Sequence, residues 1–227
     1  MKVLFSHTLA TSINVFQPYI DQHLSEIKIE HDVQPEFLAL VRQQGETDEI
    51  IQQIHQYLDN KLTQGYDLIV CTCSTLGGII DQYNASRNDT TPATKENVIR
   101  VDMPMALKTK EFKQILVAVA LESTISPTEA LIKHYNSKAE LKCLFVEGAW
   151  AHFEAKDIPT FHQMIANKIE QEVEKNKTTP NDTRLKFDAI VLAQASMTGA
   201  AKQLNTDLPI ITTPEAAILY ILNYLLK

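Results

Sequence analysis

The chain has 227 residues, 44% hydrophobic and 22% charged, enough for one large or two small folded units with a real core. A formal net charge of -7 argues against non-specific nucleic-acid binding and against attraction to an anionic membrane surface. No apolar run approaches the ~20 residues of a membrane span, the opening MKVLFSHTL lacks the long apolar stretch of a signal peptide, and three cysteines make no disulfide framework, so a reducing, cytoplasmic setting is expected.

Taken in chain order, apolar runs predict strands at 2–6, 27–33, 68–72, 98–101, 115–120, 141–146, 189–193 and 210–212. Helical patterns fall between them. Residues 14–24 carry Val15, Tyr19 and Ile20 on one side. Residues 47–64 open on Thr47 as N-cap, with Asp48 and Glu49 in the first turn, and stop at Gly65. Ser126-Pro127-Thr128-Glu129 reads as a capping box with proline at the first helical position. Residues 160–175 form a long amphipathic helix, and a last helix opens at Thr213-Pro214-Glu215. Two polar stretches, 84–97 and 176–186, read as surface loops. Strand and helix alternating throughout predict an α/β fold with parallel sheets.

Two segments repeat 121 residues apart: YDLIVCTCSTLGG at 66–78 and FDAIVLAQASMTG at 187–199. Each is an aromatic-Asp pair, an apolar run, a polar motif and the opening of a helix. The polar motif therefore lands at the carboxyl end of a parallel strand, where open α/β sheets place ligands. The repeat suggests a duplicated half: residues 1–100 in a first domain and 101–206 in a second, with the final strand and helix, 207–227, crossing back to the first.

The copies differ at one telling position, since Cys73 aligns with Gln194. A thiol at a helix N-terminus is expected to have a lowered pKa, and the free N–H groups there can cradle a carboxylate. Such a pair could remove a proton next to a carboxylate, although most free cysteines are simply small buried hydrophobes. Cys71 and Cys143 lie inside strand runs and read as core. Cys71-x-Cys73 lacks further ligands at zinc spacing, so no metal is expected. Glutamine has no acid or base role but can donate and accept hydrogen bonds, and Ser196 with its neighbouring amides could hold an oxyanion. His7 and Thr8, after the first strand, and Glu122, Ser123 and Thr124, after its counterpart, should open toward ligand. His7 is a candidate proton shuttle; structural readings of His7 and Glu122 stand beside these. His152 and His162 read as surface residues.

Cys73-Ser74-Thr75, together with VDMPMA (101–106), VEGAW (146–150) and LAQASM (192–197), resembles the aspartate/glutamate/hydantoin racemase superfamily, with Gln194 where a second catalytic cysteine is usual. The resemblance runs nearly end to end. It implies two Rossmann-like domains related by a pseudo-two-fold, with the active site at their interface, and no cofactor. It further implies that Cys73 transfers a proton, that Gln194 stands in the second catalytic place, and that His7, Thr8, Ser74, Thr75, Ser123, Thr124, Ala195 and Ser196 hold substrate carboxylates. A homodimer is implied by analogy. The expected function is a cofactor-independent, racemase-like isomerase of a small carboxylic acid; a non-catalytic small-acid binder and a one-cysteine decarboxylase are the alternatives. No Gly-rich fingerprint or phosphate loop supports a nucleotide site.

Overall fold

The structure, a computed structural model, describes residues 1–88, 97–178 and 186–225. It divides into two compact units, Met1–Met103 with Ala217–Lys227, and Pro104–Ala216. Each is built on a four-stranded, all-parallel sheet with helices.

The first unit runs β1 (Lys2–His7), α1 (Thr11–His23), β2 (Lys28–Val33), α2 (Pro35–Gln44), α3 (Asp48–Thr63), β3 (Leu68–Cys71), a 3₁₀ turn at Ser74–Leu76, α4 (Gly77–Asn88) and β4 (Val98–Arg100). Its strand order is β2-β1-β3-β4. Side chains alternate across β1. Phe5 packs on Phe16 of α1, and His7 lies on the same side. Leu4 faces the other way, into a cluster with Ile69 and Cys71 of β3, Phe37 and Val41 of α2, Ile50, Ile54 and Leu58 of α3, and Ile79, Ile80 and Tyr83 of α4. Ile50, Ile54 and Leu58 recur every four residues, which lays one stripe of α3 on the sheet. Thr47 Oγ1 caps α3 by accepting from Ile50 N, and Gly65, at φ 81°, lets the chain leave it.

The second unit repeats the plan. Its elements are α5 (Met103–Lys108), β5 (Gln114–Val119), a 3₁₀ turn at Glu122–Thr124, α6 (Ile125–Tyr135), β6 (Glu140–Phe145), α7 (Ala149–Glu154), α8 (Ile158–Thr178), β7 (Ala189–Leu192), a 3₁₀ stretch at Ala195–Gln203 and β8 (Ile210–Ile211); α9 (Thr213–Leu225) starts in this unit and belongs to the first from Ala217 on. The strand order, β6-β5-β7-β8, matches the first sheet rank for rank. The register matches too: Val3 pairs with Leu68, and Ile115 with Ala189. The two repeated sequences are thus the same strand, β3 and β7, each buried along its whole length.

Three expectations need correction. The last strand does not cross back: β8 pairs with β7 in the second sheet, and only residues from Ala217 onward cluster with the first unit. The capping box does not form, because the Glu122–Thr124 turn leads straight into α6 at Ile125 and Thr124 makes no side-chain cap. The polar stretches 84–97 and 176–186 are helical where they begin, as far as Asn88 in α4 and Thr178 in α8; residues 89–96 and 179–185 lie outside the described residues. Among the described residues no helix is long and apolar enough to cross a membrane, and no cluster of three or more His, Cys, Asp or Glu could hold a metal ion.

Candidate active site

Cys73 follows β3 and is the extended N-cap of the Ser74–Leu76 turn, at φ −102° and ψ 108°. Within that turn the Leu76 N–H donates to Cys73 O at 3.0 Å. The N–H groups of Thr75 and Leu76 face the sulfur, as do the side chains of Thr8 and Thr75. All four favour the thiolate, as a turn N-terminus should. Burial opposes them and prevails, so the Cys73 thiol is pushed above its ordinary range rather than below it. In the free protein the thiol is protonated at neutral pH. Ser74 and Thr75 are buried beside it, and Thr8 is buried at the end of β1. Cys71 is core, as expected, with its thiol pushed up to about 12. Cys143 is half-buried, and desolvation with a hydrogen bond to Glu129 raises it to about 12.

His7 departs from expectation. It belongs to β1 rather than to a loop, is 0% exposed, and has both ring nitrogens engaged. Nε2 meets His31 Nδ1 at 2.8 Å, and Nδ1 meets Thr72 Oγ1 at 2.8 Å. Burial first, then the neighbouring His31, lower its pKa to about 3. It is a neutral core histidine, and it presents no nitrogen to a ligand. Beside it, Tyr57 donates to Asp32, Lys61 pairs with Asp32, and Ser6 Oγ meets Tyr57 OH at 3.0 Å.

In the second unit Gln194 is the extended N-cap of the Ala195–Gln203 stretch, the backbone counterpart of Cys73. Its side chain turns back toward β5. Oε1 accepts from Ala120 N at 2.7 Å and from Leu121 N at 3.2 Å. Ala195 and Ser196 are half-buried, Ser123 is half-buried and Glu122 is exposed. Thr124 is buried and its hydroxyl donates to Leu121 O. The structure therefore groups Cys73, Ser74, Thr75 and Thr8 at one strand end of the first sheet. It groups Gln194, Ala195 and Ser196 with the turn after β5 in the second.

Two supporting residues escaped sequence reasoning. His162 is not a free surface histidine. Its Nε2 lies 2.9 Å from Ser196 O, a carbonyl that only accepts, so Nε2 carries the proton. The ring lies so close to Gly199 that an added Cβ would sit 2.1 Å from it. Arg100, 4% exposed at the end of β4, forks onto the buried Asp102 through Nε and Nη2 and reaches Asp81 through Nη1. A Cβ on Gly77 would lie 2.2 Å from its Nη2. The glycine after each motif is thus a seat for a neighbouring side chain. That signal was present in the sequence, but its partner was not.

No protein-family model matches this chain, and no curated protein matches it in sequence. Solved structures do. A glutamate racemase from Bacillus anthracis superposes with a TM-score of 0.68 at 14% identity, over 99% of this chain and 81% of that one. A putative Asp/Glu racemase from Yersinia pestis gives 0.65 at 15% identity, covering all of both chains. A mutant of arylmalonate decarboxylase gives 0.57 at 11% identity, over 99% of this chain and 93% of that one. The fold is that of the glutamate and aspartate racemases.

Proposed function

We propose that this chain is a cofactor-independent, racemase-like isomerase of a small carboxylic acid, with Cys73 as the group that moves the α-proton. The observation that carries the reading is the setting of one thiol: at a strand end, among four hydrogen-bond donors, and half-buried. Those donors stabilise the thiolate once it forms. In the forward step the thiolate takes the α-proton, the C–H pair passes into an enolate-like anion, and Cys73 becomes a thiol. Return of that proton by the same thiol to a second carbon of the delocalised anion gives an isomer with no net change in atoms or charge, whereas return to the α-carbon restores the starting acid with its configuration retained. Gln194 has no proton to exchange at this task, so the chemistry is single-sided.

The raised thiol favours a second reading. A protonated Cys73 is the acid a decarboxylase needs, since loss of CO2 leaves a carbanion that must gain a proton. A binding protein without turnover is the remaining alternative.

Cys73→Ser separates these. Ligand binding should persist while turnover of a panel of small acids falls by roughly 10²–10⁴-fold, the usual worth of a positioned acid-base group. Unchanged turnover in this variant would end the proposal. Binding by the wild type with no turnover of any acid would favour the sensor.

A further inference from the structure

Gln194 is 7% exposed, and its two amide ends are not equivalent. Ala120 N and Leu121 N both donate, and both point at one atom of the side chain. Two converging donors can be met only by an acceptor, so that atom is oxygen and the amide cannot be turned over without setting NH₂ against N–H. The acceptor capacity of the glutamine is thereby taken up by its own unit. What remains to present to anything else is Nε2, a pure donor. Cysteine in the same place could not make this connection, because its side chain is too short to carry an acceptor back to β5.

We propose that Gln194 is a ligand-binding donor: its amide nitrogen holds a carboxylate oxygen of the ligand, and the Ala120–Leu121 amide pair fixes it in that orientation. This rests on the small-carboxylate reading above. In effect the backbone donor pair is relayed outward through one side-chain amide, so the second motif binds anion where a cysteine would exchange a proton. Ala120 and Leu121 act through Gln194 and are positioning groups.

Three proteins test this, with malonate and aspartate as probes. Gln194→Glu keeps an acceptor for both backbone N–H groups but replaces the outward donor with a negative oxygen. The melting temperature should hold or rise at neutral pH, while malonate and aspartate bind at least tenfold more weakly than to wild type. Gln194→Leu removes the acceptor altogether; hydrogen exchange at Ala120 and Leu121 should accelerate and the melting temperature should drop. Equal affinity of the Glu variant and wild type for the probes would overturn the donor role. Unchanged exchange at Ala120 and Leu121 in the Leu variant would overturn the orientation. Failure of wild type to bind either probe would overturn the small-carboxylate reading itself, and this proposal with it, a result distinct from either variant's.

Discussion

At the residue scale, the position of Cys73 was legible and its charge state was not. A polar motif after a fully apolar run marks the end of a buried parallel strand, whatever the rest of the fold does. The protonation state depends on how much solvent the finished packing leaves at the sulfur, and the sequence holds no record of that. Thr8→Val removes one of the four donors that face the thiol. The thiol should become still harder to ionise, and iodoacetamide labelling of Cys73 at neutral pH should slow roughly threefold, the scale of one hydrogen bond of about 0.5–1.5 kcal/mol. Labelling at the wild-type rate would show that Thr8 does not touch the sulfur. His7 was placed after the strand rather than in it, because a lone histidine there looks the same in sequence whether the strand stops before it or after it; the structural reading that stood beside the proton shuttle is the one its burial fits. Its burial sets a pH dependence. The folded state holds His7 neutral down to about 3, while the unfolded chain takes up a proton near 6.5. Between those values the unfolded state binds more protons, so stability falls as pH falls from about 6.5 toward 3. Urea midpoints measured across that range should decline in wild type and decline less steeply in His7→Gln.

At the scale of elements, all eight expected strands are present, with ends displaced by a residue or so. Period and β-branched content decide a buried strand locally. The helix α2 was missed although Pro35 opens it and Gly45, at φ 75°, closes it, because its apolar stripe is short: Phe37, Leu38 and Val41. The capping box at Ser126 failed for a physical reason, since the preceding 3₁₀ turn had already set the helical course one residue earlier. The Arg100–Asp102 pair could not be foreseen from an apolar strand that happens to end in arginine. It is buried, so breaking one partner should be costly. Arg100→Met leaves Asp102 charged and unpaired and should destabilise the protein by about 3–5 kcal/mol in denaturant titration. Adding Asp102→Leu should return much of that loss; an equally unstable double variant would mean that Arg100 matters for packing alone.

At the scale of the whole molecule, the repeat of 121 residues reported a real duplication. Its two copies occupy the same rank in two sheets of identical strand order. The pair of helices α2 and α3 between β2 and β3 has its counterpart in α7 and α8 between β6 and β7. What the repeat could not show was where the last strand would go. β8 is two residues long and pairs with β7 through Ile190–Ile210 and Val191–Ile211, a choice made by packing rather than by pattern. The duplication also sets Cys73 and Gln194 at the same place in the two units. With the backbone of Cys73 and Gln194 nearly alike, the chemistry of the two halves differs through side chains: a thiol set among donors in one, an amide tied to β5 in the other.

The most direct measurement follows α-proton exchange by NMR when the protein is incubated in heavy water with single enantiomers of small acids. Proton transfer by one thiol predicts that at least one acid gains deuterium at its α-carbon, with its configuration largely retained, and that Cys73→Ser abolishes the gain. Deuterium incorporation that continues undiminished in Cys73→Ser would contradict the account.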